Sequence, residues 1–191
     1  MKTVRRLYFY AVAFISIEVM LWGLIGLVRS MLDRTVAGQA DALARALALI
    51  LVGVPIFLFH WLWAQRMAAR EPEERLAGLR AFFLYAILIS TLIPVAQNVL
   101  ALIDRLFLDA ARLELGRAIL GHAQTWQDSL VAILMNGLVA AYFWNVLRGE
   151  WARLPDRTAL ADVRRLYRHA WLLYGLVMAI LGAQQVLRYL L

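Results

Sequence analysis

Residues 7–28 read LYFYAVAFISIEVMLWGLIGLV, and Glu18 is the only charged residue among them. A helix needs about 20 predominantly apolar residues to cross the hydrocarbon core of a bilayer. The stretch meets that requirement and predicts a transmembrane helix. Four similar stretches follow it, and we predict five spans, at about 7–28, 43–64, 81–103, 129–147 and 169–190.

The composition supports the same interpretation for the whole chain. Hydrophobic residues make up 63% of the 191 residues and charged residues 17%, whereas soluble domains have about 45–50% and about 25%. We therefore expect an all-α, polytopic transmembrane helical bundle. The chain has no cysteine, which excludes disulfides, thiolate metal sites and cysteine nucleophiles.

Basic residues are distributed unequally between the two sides of the predicted bundle. The N-terminal segment and the connections after spans two and four hold 13 of the 20 lysines and arginines. By the positive-inside rule we expect a cytoplasmic N-terminus and an external C-terminus in a bacterial inner membrane. The net charge of +7 then reflects topology and attraction to anionic lipid, so no nucleic-acid partner is expected.

The connections show signs of further helices. The sequence Glu71-Pro72-Glu73-Glu74 and the pair Pro155-Asp156 place proline and acids where a helix would begin. The connection from about Arg105 to Asp128 mixes apolar and charged residues, as a helix lying along the outer membrane interface would.

The chain also repeats itself within a single membrane domain. Arg5-Arg6-Leu7-Tyr8 recurs as residues 164–167, and Ala96-Gln97-Asn98-Val99-Leu100 recurs in similar form as residues 183–187. The unit is a two-helix hairpin, and its copies are parallel: about 1–70, about 71–153 and a half unit at about 154–191. We expect that the chain is cut short or that a partner supplies the missing helix.

Three features of the chain carry a resemblance to a known family. They are the opening RRLYFY, the end of span two, which reads FHWLWAQR at residues 59–66, and the repeated hairpin. The chain resembles an uncharacterised family of bacterial multi-pass membrane proteins, a domain of unknown function found among filamentous green phototrophs and their relatives. The resemblance covers nearly the whole chain. It implies the topology and a bacterial membrane but no activity and no site residues.

Glu18 lies near the middle of its span, where an ionised carboxylate costs about 2.5–3.5 kcal/mol in insertion measurements. No lysine or arginine lies at that depth, so we expect a neutral acid. Asn136, Ser90 and Thr91 are its candidate hydrogen-bond partners on other helices. We interpret Glu18 as a neutral group that fixes helix register. A proton or ion path is the alternative, although the predicted spans contain no second carboxylate.

Spans three and five carry amides at equivalent places in the repeat, about one turn outward of the midplane. They are Gln97, Asn98, Gln184 and Gln185. Amides bind membrane helices together, so we expect them to serve packing, with a substrate pocket as the alternative. Gly175, Ala179 and Ala183 share a spacing of four, which would let another helix approach span five, within the bundle or from a partner.

His60 and His169 are predicted at equal depth near the cytoplasmic interface. Two such imidazoles could be the axial ligands of a haem b. Since the repeat does not preserve them, we prefer histidines that reach the interface beside Trp61 and Trp63. No other cofactor and no metal site is expected, because zinc-protease, Walker and dinucleotide motifs do not occur in the sequence.

These features favour a protein without catalytic activity. We expect an accessory or assembly subunit of a larger membrane complex, such as a bioenergetic one, whose partners are lipid and other membrane subunits or copies of itself. A small transporter or proton conductor that uses Glu18 is the first alternative. A haem-binding electron carrier that uses His60 and His169 is the second.

Overall fold

A computed structural model describes residues 2–32, 39–110, 125–153 and 159–190. These residues form six α-helices, which are α1 (Lys2–Leu32), α2 (Gln39–Arg70), α3 (Pro72–Arg75), α4 (Gly78–Ala110), α5 (Trp126–Trp151) and α6 (Ala159–Leu190). The described part of the chain contains no strand. The predicted all-α class is therefore confirmed.

Five helices, α1, α2, α4, α5 and α6, are long and apolar enough to cross a membrane. They coincide with the five predicted spans, so the protein is a multi-pass membrane protein. Several continue beyond those spans: α2 reaches Arg70, and α4 extends from Gly78 to Ala110. A helix satisfies its own backbone hydrogen bonds, so it can leave the bilayer without a break.

The short helix α3 begins as its sequence predicts. Pro72 occupies the first turn after Glu71, and Glu73 and Glu74 lie in the same turn, where acids favour the positive end of the helix dipole. The other two predicted features, a helix start at Pro155-Asp156 and an interfacial helix in the connection before Asp128, fall largely on residues 111–124 and 154–158. Those residues lie outside the described part of the chain.

Helices α1 and α2 form the most tightly packed pair. Two glycines allow this close approach. A Cβ atom at Gly53 would lie 2.8 Å from the backbone nitrogen of Met20, and one at Gly23 would lie 2.9 Å from Cγ1 of Ile50. Small residues let membrane helices approach closely enough for dispersion forces to hold them. The first hairpin thus depends on glycine at these two positions.

Helices α4 and α5 form the second hairpin, and α1 contacts both of them. Aromatic side chains fill the space between the hairpins, where the ring centroids of Trp61 and Phe143 lie 5.1 Å apart and those of Trp61 and Phe83 lie 5.6 Å apart. Helix α6 packs against α4, with Leu160 buried and the rings of Tyr85 and Tyr167 5.0 Å apart. The core therefore lies among α1, α2, α4 and α5, and α6 flanks it.

An ion pair joins the hairpins at the end of the bundle where α1 ends and α5 begins. Arg29 Nε lies 3.4 Å from a carboxylate oxygen of Asp128, and Arg29 also donates to the backbone oxygen of the same residue at 3.0 Å. Asp128 in turn closes a capping box with Thr125 at the start of α5. This contact fixes where α5 begins relative to α1.

Candidate functional site

A buried polar cluster lies at the opposite end of the bundle and is centred on Arg80. Its side chain is only 2% exposed and lies 2.9 Å from Glu150 Oε1. The guanidinium also donates to Gln65 Oε1 at 2.8 Å and to the hydroxyl of Tyr10 at 3.3 Å. Trp61 lies beside it, with the guanidinium carbon 5.8 Å from the ring centroid, within the range of a cation–π interaction.

A second ion pair extends this cluster to α3. Arg6 Nε donates to Glu74 Oε2 at 2.8 Å, and Arg5 lies 3.7 Å from the other oxygen of the same carboxylate. Glu74 is 1% exposed. We call the set formed by Arg6, Tyr10, Gln65, Glu74, Arg80 and Glu150 the boundary cluster. It ties α1 to α3, and α4 to α1, α2 and α5.

The boundary cluster was not predicted from the sequence, which placed Arg6 in the N-terminal segment and Arg80 in the connection after span two. The sequence contains a relevant signal, because Glu74 and Glu150 are acids in arginine-rich segments close to apolar stretches. A carboxylate is buried in such a place only when it is paired. Each buried charge here has an opposite charge within 2.9 Å. The chemistry is that of a structural ion-pair network.

Glu18 lies midway along α1 and is partly exposed. The expected hydrogen bond to another helix is not present among the described residues. Asn136 donates to the backbone oxygen of Ala132 at 2.8 Å, and Ser90 and Thr91 donate to that of Ile87 at 3.1 and 2.7 Å. The Oε1 atom of Glu18 is buried and has no hydrogen-bond partner among the described residues.

Glu18 borders an apolar cleft of about 440 Å³ that α1, α2 and α4 form together. Phe14 and Ser90 also line this cleft. Phe14 lines a second cleft as well, which has a volume of about 400 Å³ and lies between α1 and α4. Both clefts are apolar, as expected of surfaces that face lipid tails. The structure thus brings Glu18 and Ser90 to one cleft without a hydrogen bond between them.

The intramembrane amides whose side chains the structure describes form no hydrogen bonds with one another. Asn98 donates to the backbone oxygen of Pro94 at 2.8 Å on its own helix. Gln97 on α4 and Gln184 on α6 are both exposed, and neither forms a hydrogen bond to another described residue. The side chain of Gln185 is outside the described part. An exposed amide at the membrane surface of a bundle is costly unless another group covers it.

Helix α6 presents its small residues outward. Gly175, Ala179 and Ala183 are all exposed, and a Cβ atom at Gly175 would meet no described atom within 4 Å. The most apolar segment of α6 has no buried residue, whereas 33% of the corresponding segment of α5 is buried. The predicted small-residue stripe therefore serves no contact among the described helices.

The two membrane histidines lie on helices with different main neighbours. His60 is on α2, near the rings of Phe9 and Phe59 at 5.5 and 5.3 Å, and His169 is on α6. In each, Nδ1 lies next to the backbone oxygen four residues earlier, at 2.8 Å for His60 and 2.7 Å for His169. A proton on Nδ1 would leave Nε2 as the free ligand atom. The structure shows no contact that joins them.

Among the described residues, no group of three or more histidine, aspartate or glutamate side chains is arranged to hold a metal ion. Comparison with protein families adds one finding. The model of the family described as domain of unknown function DUF5671 matches residues 6–146, which include most of α1, all of α2 to α4 and most of α5. No curated protein and no solved structure matches the chain.

Proposed function

The chain belongs to the DUF5671 family, and we propose that it is a non-catalytic integral membrane protein that acts as a subunit of a larger membrane assembly. In this proposal the working part is a surface that binds another membrane helix. The boundary cluster and the aromatic core hold the two hairpins in place. Helix α6 then offers the binding surface.

The observation that carries this proposal is the exposure of glycine and amide groups on α6. Exposed leucines would by themselves indicate only contact with lipid. Gly175, Gly182 and Gln184 are exposed on the same helix, and a membrane helix gains little from lipid contact at such positions. Small and amide residues are typical of the surfaces where membrane helices meet one another.

The test is the mass of the particle that carries the chain in its own membrane. The protein would be extracted from the native membrane under mild conditions and weighed by native mass spectrometry. A particle heavier than the 21.7 kDa chain by at least one further protein supports the proposal. The control is the purified chain reconstituted alone, which gives the mass of the isolated protein. A native particle of that same mass contradicts the proposal.

A small proton conductor is a second candidate function, favoured by one observation. The buried Oε1 atom of Glu18 has no partner among the described residues, and unpartnered acids inside membranes often serve transport. The test is proton flux into proteoliposomes that contain the purified chain. Conduction predicts a flux that Glu18→Gln abolishes. An absence of flux in the wild type removes this candidate.

A further inference from the structure

The repeat that relates α1 to α6 extends beyond the four residues that first indicate it. The offset that aligns Arg5 with Arg164 also aligns identical residues deeper in the two helices. These pairs are Ala11 with Ala170, Gly23 with Gly182, and Arg29 with Arg188. The alignment therefore gives each position on α6 an equivalent on α1.

The equivalent positions differ sharply in burial. On α1, Ser16 and Gly23 are seven residues apart, lie on one face and are both buried. Their equivalents on α6, Gly175 and Gly182, are both exposed. Helix α6 thus leaves uncovered the positions that α1 buries on this face.

The glycines show what kind of neighbour this face accepts on α1. A Cβ atom at Gly23 would lie 3.1 Å from the backbone oxygen of Ala46 on α2, whereas one at Gly182 would meet no described atom within 4 Å. Gly53 of α2 lies against Met20 in the same interface. Since Gly23 faces Ala46 while the earlier Met20 faces the later Gly53, α2 runs antiparallel to α1.

We propose that the exposed face of α6 centred on Gly182 binds one transmembrane helix of a partner protein, antiparallel to α6 and with glycine or alanine at the level of Gly182. This inference rests on the proposed function and specifies its surface. The residues of this chain that provide such a face, Ala46 and Gly53, are already packed against α1. Two copies inserted the same way would also place their α6 helices parallel. We assign this position to a helix of a different protein, and occupation by a second copy of the chain would overturn the assignment.

The probe for this surface is a synthetic peptide of residues 39–70, which reproduces the face that covers α1. The chain has no cysteine, so a full-length Gly182→Cys variant in nanodiscs has a single thiol. Peptides with Ala46→Cys or Ala64→Cys place their thiol at opposite depths on the same face. Disulfide formation predominantly with the Ala46→Cys peptide is expected. The proposal is overturned if the Gly182→Cys protein forms more disulfide with the Ala64→Cys peptide. It is also overturned if Gly182→Cys forms no more disulfide than Gly137→Cys does.

A second measurement uses binding of the unmodified peptide to the full-length chain. Leucine at position 182 overfills the contact, so Gly182→Leu should weaken binding by at least about tenfold. Gly137→Leu is the matched control, because a Cβ atom there also meets nothing within 4 Å, and it should bind as the wild type does. Equal binding by all three proteins overturns the proposal, as does a Gly182→Cys chain that crosslinks mainly to its own copies.

The two proposals fail in different ways. If the native particle has the mass of the chain alone, the proposed function is wrong. If the native particle is heavy and its mass is unaffected by Gly182→Leu, the assembly exists but does not use this face, and only the inference about α6 is wrong.

Discussion

Arg80 stands at the centre of the boundary cluster, and its buried positive charge is compensated by the carboxylate of Glu150, 2.9 Å away. Removing one partner of a buried ion pair leaves an uncompensated charge and costs about 3–5 kcal/mol. We expect Glu150→Ala to lower the free energy of unfolding by about that amount. The measurement is a reversible denaturation by sodium dodecyl sulfate in mixed micelles.

The matched control removes both charges at once. The double variant carries Arg80→Met together with Glu150→Leu, so apolar groups of similar size replace the ion pair. Such replacements are often neutral or stabilising. It should therefore be more stable than Glu150→Ala. If the double variant is as unstable as the single one, or if Glu150→Ala unfolds at the wild-type midpoint, the ion pair does not have the role assigned to it here.

For Glu18, unlike Glu150, we expect that substitution does not lower the free energy of unfolding. Because no hydrogen bond from its carboxyl group is present among the described residues, Glu18→Leu should not lower the free energy of unfolding. Hydrogen bonds between membrane helices contribute about 0.6 kcal/mol on average and about 1.7 kcal/mol at most. The same denaturation measures the change. A loss greater than about 2 kcal/mol would show that Glu18 holds the bundle together after all.

The sequence predicts single side chains less well than it predicts helices. A carboxylate inside an apolar run identifies Glu18 as unusual, but its partners depend on rotamers that the pattern does not contain. Asn136 and Thr91 instead bond to the preceding turn of their own helices. Arg80 was placed among loop charges because the sequence does not reveal that α4 begins before it. A charged side chain can be buried only where another helix places an opposite charge beside it.

The α1–α2 hairpin depends on backbone contact at Gly53. A Cβ atom there would lie 2.8 Å from the nitrogen of Met20, and the helices would have to separate. Overpacking of this kind costs about 1–3 kcal/mol, so Gly53→Ala should lower the free energy of unfolding by that amount. It would be measured by the denaturation described above.

Gly137→Ala serves as the control, since its Cβ atom would meet no described atom within 4 Å. Alanine favours a helix over glycine by about 1 kcal/mol, so this variant should be as stable as the wild type or more so. Equal losses at Gly53 and Gly137 would contradict the view that α1 and α2 touch at their backbones.

The helices themselves follow closely from the sequence. Length and hydropathy place all five spans, because lipid leaves a chain few alternatives to a continuous helix. The start of α3 follows from Pro72 and the acids beside it. The sequence does not predict in the same way which helices pack against one another. The repeat aligns α6 with α1, but only the structure shows that the matching face of α6 is uncovered among the described residues.

The bundle as a unit has a predicted orientation that can be tested by labelling. The distribution of arginines predicts that the α2–α3 connection lies in the cytoplasm and that the start of α5 lies outside. In intact cells, a membrane-impermeant maleimide should label Thr125→Cys and should label Arg70→Cys only after permeabilisation. The cysteine-free wild type gives the background. The reverse pattern would mean that the bundle is inserted the other way round.

The most direct measurement compares the native masses of three proteins expressed at ordinary levels in the native membrane: the wild type, Gly182→Leu and Gly137→Leu. If α6 binds a partner helix, the wild type and Gly137→Leu should be extracted in a particle that contains a further protein, and Gly182→Leu should be extracted at the 21.7 kDa mass of the chain. A wild-type particle of that lower mass, or three particles of equal mass, would contradict the account.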